Sequence, residues 1–246
     1  NNYKIKKMKK ILLLFTICVF TLNTYSQEGK PFGKIFANFN YDVSEETPNQ
    51  NDYKEFEIKR AYLGYGYKID DQFSAKITFD IGSNSSGSAY TAFLKIASLN
   101  WQATDNISMN MGMIGTKNFK FMEKNWGRRY IEKSALDKYK WANAADAGIS
   151  MEMKVSDNLS VDAQALNGEG YKNTQDELGL FRYGAGLTYK MNSIRLRLFR
   201  DMLGDQSNTT QNITTAAVAF SKGNIKLGAE ANIMENASNV SEQTKN

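Results

Sequence analysis

Histidine is absent from the 246 residues, cysteine occurs once, and proline occurs twice. Without histidine the chain lacks the commonest general base and a principal metal ligand. Ser-His-Asp and Cys-His catalysis and His-ligated metal sites are therefore excluded. Acidic residues can also do acid–base work, but no carboxylate pair stands out. We predict a protein that is not an enzyme, with no catalytic residues, no metal and no cofactor.

The formal net charge of +5 misrepresents most of the chain. Five of the 31 basic residues lie within residues 1–26, which contain no acidic residue. Residues 27–246 therefore carry 26 basic and 26 acidic residues. Because binding to phosphate backbones depends on an excess of positive charge, this balance argues against a nucleic-acid partner.

The N-terminus has the three parts of a secretory signal peptide. A basic stretch begins at Met8, twelve mostly apolar residues follow from Ile11 to Leu22, and small residues flank Tyr25. We predict residues 1–26 to be a signal peptide with an upstream extension before Met8, cleaved after Ser26. The apolar stretch is shorter than the roughly 20 residues of a membrane-spanning helix. Cleavage removes Cys18, so the exported chain forms no disulfide.

The remaining residues, 27–246, lack any run of about 18 apolar residues. They show period-2 alternation instead, which is typical of strands with two different faces. Phe73 and Ala75 face one way, for example, while Ser74 and Lys76 face the other. Clear strands are predicted over residues 73–81, 107–113, 147–154, 159–165, 181–190 and 225–233.

Five less regular segments, residues 34–41, 55–67, 90–101, 193–200 and 214–221, bring the total to about eleven strands. The alternation changes parity near Arg60 and near Lys95. A β-bulge at each position, or a strand that runs beyond the membrane, explains such a change.

The connections alternate between short and long along the whole chain. Three short ones share a pattern: Asp70-Asp71-Gln72, then Asp105-Asn106 and Asp157-Asn158, each followed by an apolar residue and serine. Asp and Asn favour tight turns. Short turns at one end and long loops at the other indicate an all-β, antiparallel transmembrane β-barrel. A secreted soluble β protein is the competing interpretation.

Eleven is an odd number, and bacterial barrels usually have even strand numbers. The last six residues are polar and loop-like. We therefore expect residues 27–246 to be the N-terminal part of a longer porin of roughly 16 strands.

Several stretches resemble the phosphate-selective porin O and P family in its Bacteroidetes-type form. The likeness covers residues 33–171 and rests on FEIKRAYL (56–63), FSAKITFD (73–80), WGRRY (126–130), DAG (146–148) and LNGEGY (166–171). The resemblance implies a passive, water-filled, homotrimeric channel in the bacterial outer membrane that prefers anions such as phosphate. Its partners would be outer-membrane lipid and small anionic or polar solutes.

Charged side chains on the inward-facing positions are the candidates for selectivity, because pores select with rings of charge. Arg195 and Arg197 alternate with apolar residues, and facing lipid would cost each about 2–4 kcal/mol at the midplane. With Arg182 on the neighbouring strand, they are expected to form a basic track. A charge-balanced wall is the competing interpretation. The predicted pore-lining, anion-selective residues are Lys76, Arg182, Lys190, Arg195 and Arg197.

The longest connection, residues 115–146, has eight basic and four acidic residues. A short helix is predicted over residues 130–140, with Ile131, Leu136 and Tyr139 roughly on one side. If the loop folds into the pore, Arg128, Arg129 and Lys133 are the candidates for the constriction. If it stays outside, it is a solvated extracellular loop. The predicted function is a porin for small hydrophilic solutes, with a non-transporting surface barrel (an adhesin or structural protein) as the alternative.

Overall fold

The computed structural model describes residues 29–41, 54–82, 89–177, 179–204 and 210–237. Eleven strands form one sheet in which every strand pairs with the next along the chain. The predicted all-β, antiparallel sheet of about eleven strands is confirmed. Its closure into a transmembrane β-barrel stays a prediction. The strands are β1 Gly29–Tyr41, β2 Lys54–Lys68, β3 Phe73–Gly82, β4 Thr91–Gln102, β5 Ile107–Gly115, β6 Ala145–Lys154, β7 Leu159–Leu166, β8 Arg182–Met191, β9 Ile194–Leu203, β10 Gln211–Lys222 and β11 Ile225–Glu235.

Within the described residues β1 and β11 are the edge strands. The predicted signal peptide and its cleavage after Ser26 lie outside the described residues. A longer barrel of roughly 16 strands also stays a prediction.

The short connections are the turns that the sequence pattern indicated, with one difference in how they are held. In the first turn the Asp70 carboxylate accepts hydrogen bonds from the backbone N–H groups of Gln72 and Phe73, at 2.8 and 2.6 Å. In the next two the acceptor is a hydroxyl: Thr104 accepts from Ile107 N–H, and Ser156 accepts from Leu159 N–H, both at 3.1 Å. These three side chains occupy the same position of the repeated pattern. The oxygen one residue before the shared Asp therefore anchors each turn.

The two changes of parity are β-bulges, as the sequence indicated. Phe36 pairs with Arg60 and Ala37 with Ile58, so Lys59 is an extra residue in β2. Thr78 pairs with Ile96 and Phe79 with Leu94, so Lys95 is extra in β4. Each bulge places a lysine beside an inward-facing residue.

Two helices lie in the connection between β5 and β6: α1, Lys117–Trp126, and α2, Ala135–Lys138. Gly127 ends α1 in the left-handed conformation (φ 63°), and its N–H donates to Glu123 O at 3.0 Å. The predicted helix over residues 130–140 is wrong except for its central turn. Leu136 is buried there, but Ile131 and Tyr139 are exposed, so the three do not share a packed side.

In the parts of the chain that the structure describes, no helix is both long and apolar enough to cross a membrane.

Candidate functional site

The two faces of the sheet have opposite character. On β9 Arg197 is 3% exposed, whereas its neighbour Leu198 is 58% exposed. The same inversion recurs on other strands, where Asp80 and Ser150 are buried while Phe79 and Ile149 are exposed. Polar side chains thus face the protein interior, and apolar side chains face outward. This is the reverse of the arrangement in a water-soluble protein.

Helix α1 lies against the polar face and contacts β7, β10 and β11. The Asn118 amide donates a buried hydrogen bond to Thr215 Oγ1 at 2.8 Å, and Lys117 N–H donates to Gln164 Oε1 at 2.8 Å. Phe119 and Met122 are buried on the same helix. The long connection therefore folds into the interior, which is the first of the two positions expected for it.

Most of the predicted arginine track lies in the part of the wall that α1 adjoins, and two of its charges are paired. Arg197 binds both oxygens of Asp162, at 2.7 and 3.0 Å, and its guanidinium lies 5.7 Å from the Phe121 ring centre. Arg182 donates to Asp201 at 2.8 Å and to Gln211 at 2.5 Å.

Arg195 has a neutral partner, Asn125 Oδ1 of α1, at 3.3 Å. Lys190 is exposed at the end of β8 near the short turns. All these inward orientations agree with the strand pattern, but the paired charges match the charge-balanced wall rather than a free basic track.

The opposite side of α1 carries lysines at positions 117, 120 and 124, spaced so that they lie on one face of the helix. Two of them, Lys117 and Lys120, line a cavity of about 360 Å³ between α1 and strands β3 to β5. Four lysines and one glutamate line it: Lys76, Lys95, Lys117, Lys120 and Glu123. Lys117 pairs with Glu152 at 3.0 Å, and Lys76 lies 4.8 Å from the Phe32 ring centre.

Lys120 has no side-chain hydrogen bond or ion pair among the described residues. Its side chain is exposed to solvent, although protein surrounds it on most sides. Partial burial, followed by the nearby charge of Lys117, lowers the pKa of Lys120 below that of an ordinary lysine. Lys120 is thus a cation held in a confined, water-accessible space.

The three predicted constriction residues lie at the other end of the interior, near the long connections. Arg129 is paired with Glu123 at 3.1 Å and with Asp137. Arg128 is half-buried, and Lys133 is exposed. Arg129 and Lys133 line a cavity of about 470 Å³ together with Lys59 and Arg60 of β2. Burial, and then the charges of Arg129, Arg60 and Lys59, lower the pKa of Lys133.

Asp80 connects the two lysine-lined cavities, because it contacts one residue from the lining of each. Arg60 and Lys95 each lie 3.3 Å from its carboxylate, and the Tyr171 hydroxyl donates to it at 2.7 Å. Burial, and then the hydrogen bond to Asp80, raise the pKa of Tyr171, so it remains a donor. The connection between β7 and β8 thereby reaches across the interior to β3.

Lys117, Lys120 and Lys95 are the inward-facing lysines that sequence reasoning missed. The spacing of Lys117, Lys120 and Lys124, with Phe119 and Met122 between them and Gly127 after them, could have indicated an amphipathic helix. Near Lys95 the sequence indicated only a change in the alternation of inward and outward residues.

No cluster of three or more acidic, cysteine or histidine side chains suited to a metal ion occurs among the described residues.

No family model matches the chain, and no curated protein does. Among solved structures, the OmpF protein of Salmonella typhi, in complex with daunomycin, is similar over 89% of this chain and 83% of that chain. The identity is 9% and the TM-score 0.44. OmpT of Vibrio cholerae, an outer membrane protein with loop L8 deleted, is similar over 86% of this chain and 83% of that chain. The identity is 10% and the TM-score 0.40. Neither likeness identifies a function, and the resemblance to the phosphate-selective porins stays a prediction.

Proposed function

We propose that this chain forms the wall of a β-barrel channel in a bacterial outer membrane, through which small hydrophilic solutes diffuse passively. The inversion of the two sheet faces carries the proposal. Exposed Leu63, Ile149, Leu198 and Leu227 are suited to hydrocarbon, since water would not favour such a continuous apolar face. Charged side chains on the other face are suited to a water-filled interior.

The preference we propose is for anions, and it resides on the side of the interior formed by β2 to β5. Lys76, Lys117 and Lys120 line one cavity there, and Lys59 and Lys133 line the other. Glutamates also line both cavities, but cations outnumber them in each. A confined net charge raises the local concentration of ions of the opposite sign. Phosphate or another particular anion is the finer possibility that the predicted resemblance adds.

Planar-bilayer recordings of the purified protein test this function. Under a salt gradient, the reversal potential should indicate anion preference. The triple variant Lys76→Gln, Lys117→Gln, Lys120→Gln should lower the anion-to-cation permeability ratio severalfold. The control variant, Lys54→Gln with Lys222→Gln, removes two exposed lysines at strand ends away from the cavity and should leave the ratio unchanged. Cation preference in both proteins would refute the proposed selectivity.

A non-transporting barrel is the second candidate, because α1 and Tyr171 both occupy the interior. A folded, heat-modifiable barrel without conductance would favour it over the channel. The homotrimer implied by the resemblance is a separate proposal, and chemical cross-linking of the protein in its native membrane tests it.

A further inference from the structure

A third cavity, of about 480 Å³, lies apart from the lysine cavities at the mouth formed by the long connections. It is bounded by the ends of several strands, including Leu166 of β7, Arg182 of β8 and Gln211 of β10. The connections on either side contribute Trp141 and Glu169. This size is within the usual range of sites for small molecules.

Side-chain amides dominate the polar lining of this cavity, which we call the mouth cavity. Five of them line it: Asn118, Asn143, Gln164, Asn173 and Gln211. An amide group offers both a donor and an acceptor, whereas lysine only donates and carboxylate only accepts. The charged lining comprises three carboxylates and two cations, so the cavity has a slight negative excess, opposite to the lysine cavities.

Several lining groups are held in place by hydrogen bonds to other lining residues and to the backbone. Arg182 is fixed between Asp201 and Gln211. The Asp146 carboxylate accepts from Ala147 and Gly168 N–H groups, both at 2.8 Å. A lining that is already ordered loses little conformational entropy when a ligand binds.

Other groups in the mouth cavity retain unused hydrogen-bonding capacity. Glu169 has no side-chain hydrogen bond or ion pair among the described residues, and the Trp141 indole N–H has no acceptor there. The Gln211 amide nitrogen has only the Met234 sulfur, a weak acceptor, at 3.8 Å.

We propose that the mouth cavity binds an uncharged polyhydroxylated molecule, such as a mono- or disaccharide. Adjacent sugar hydroxyls each donate and accept, which matches amide and carboxylate groups. The carbon–hydrogen face of a sugar ring packs well on an indole, which Trp141 supplies. The three carboxylates disfavour an anion here.

Tryptophan fluorescence of the detergent-solubilised protein tests the proposal without requiring transport. In a Trp101→Phe, Trp126→Phe background, Trp141 is the remaining indole. Titration with sucrose or maltose should change its emission with saturation, and inorganic phosphate should not.

Calorimetric titration with the same sugars then compares variants. Trp141→Ala and Glu169→Leu should each weaken binding ~10-fold. The control Trp126→Phe should bind as the parent does. Absence of saturable sugar binding in the folded parent, or equal binding by Trp141→Ala, would overturn the proposal. Because binding is measured in detergent, the result is independent of whether the barrel conducts.

Discussion

Two sides of the same interior use charge in different ways. On one side of α1, two arginines of β8 and β9 are tied to acidic partners, in the pairs Arg197–Asp162 and Arg182–Asp201. In the cavity on the other side of α1, Lys76 of β3 and Lys120 of α1 have no acidic partner among the described residues. We call the first side, strands β7 to β10, the covered wall, and the second, strands β2 to β5, the open wall.

The difference follows from what each wall contacts. A helix that packs on a wall removes water from it, and a charge there requires a partner because its hydration is lost. A wall that contacts water can keep unpaired lysines at little cost. Charge on the covered wall therefore contributes to stability, as does the Asp80 cluster of the open wall. The unpaired lysines beside the open wall, Lys76 and Lys120, remain accessible to water.

Removing the acid of the Arg197–Asp162 pair gives the largest expected effect. Asp162→Ala leaves a buried guanidinium without its carboxylate, and the Arg197 Nε already lacks a partner among the described residues. We expect the free energy of unfolding in detergent to fall by about 3–5 kcal/mol. Urea titration followed by gel mobility measures this change.

The double variant Asp162→Ala, Arg197→Met serves as the control for that experiment. It removes both charges and should recover most of the loss. A loss below about 1 kcal/mol in the single variant would indicate that the pair behaves as an exposed one.

Stability depends most on the charges of the covered wall, but anion selectivity should depend most on the lysines of the open side. Lys120→Gln on the open side should reduce anion preference more than Arg195→Gln does. Arg195 is engaged by Asn125, whereas Lys120 has no side-chain partner in the part of the chain that the structure describes. Reversal potentials of the two single variants under one salt gradient decide this. A larger effect of Arg195→Gln would indicate that anions pass along the covered wall instead.

Alkaline pH should separate Lys120 from ordinary lysines. Its pKa in the folded protein is lowered, chiefly by burial, so it loses its charge before exposed lysines do. Anion preference should therefore begin to fall below the ordinary lysine range. Stability should change in the opposite direction. Folding disfavours the charged form of Lys120, so the contribution of Lys120 to the free energy of unfolding should increase as pH rises from its lowered pKa towards the pKa of lysine in the unfolded chain.

Reversal potentials measured across the alkaline range test the effect of Lys120. Lys120→Arg stays charged throughout, so the early fall should be absent from this variant. An unchanged pH profile would show that other groups cause the fall.

The smallest effect is expected for an ion pair on the outward face of the sheet. Arg200 and Glu235 lie 3.3 Å apart, and both side chains are more than half exposed. Glu235→Gln should change the free energy of unfolding by less than about 1 kcal/mol. A loss as large as that of Asp162→Ala, in the same urea titration, would erase the contrast between buried and exposed pairs.

Local pattern was enough to predict the sheet, its turns and its bulges. Alternation along β3 or β9 needs only neighbouring residues, and the parity change at Lys95 follows from the same count. The inward orientation of Arg195 and Arg197 was predictable for that reason.

The pairing of charges was not predictable, because it joins distant parts of the chain. Asp162 and Arg197 lie 35 residues apart, and Asp80 and Tyr171 lie 91 apart. Helix α1 was not predicted, because its apolar stripe is short and is interrupted by lysines. Its buried apolar side chains Phe119 and Met122 pack inside the protein, whereas Lys117 and Lys120 line the cavity.

The bulges at Lys59 and Lys95 also determine where a strand can lose one residue without exchanging its inward and outward faces. Deleting an ordinary strand residue such as Ile77 would exchange inside and outside for the rest of that strand. Deleting Lys59 or Lys95 would restore plain alternation and leave each neighbour on its present side. Single-codon losses should thus be tolerated at these two positions of the wall, at the cost of one cation each.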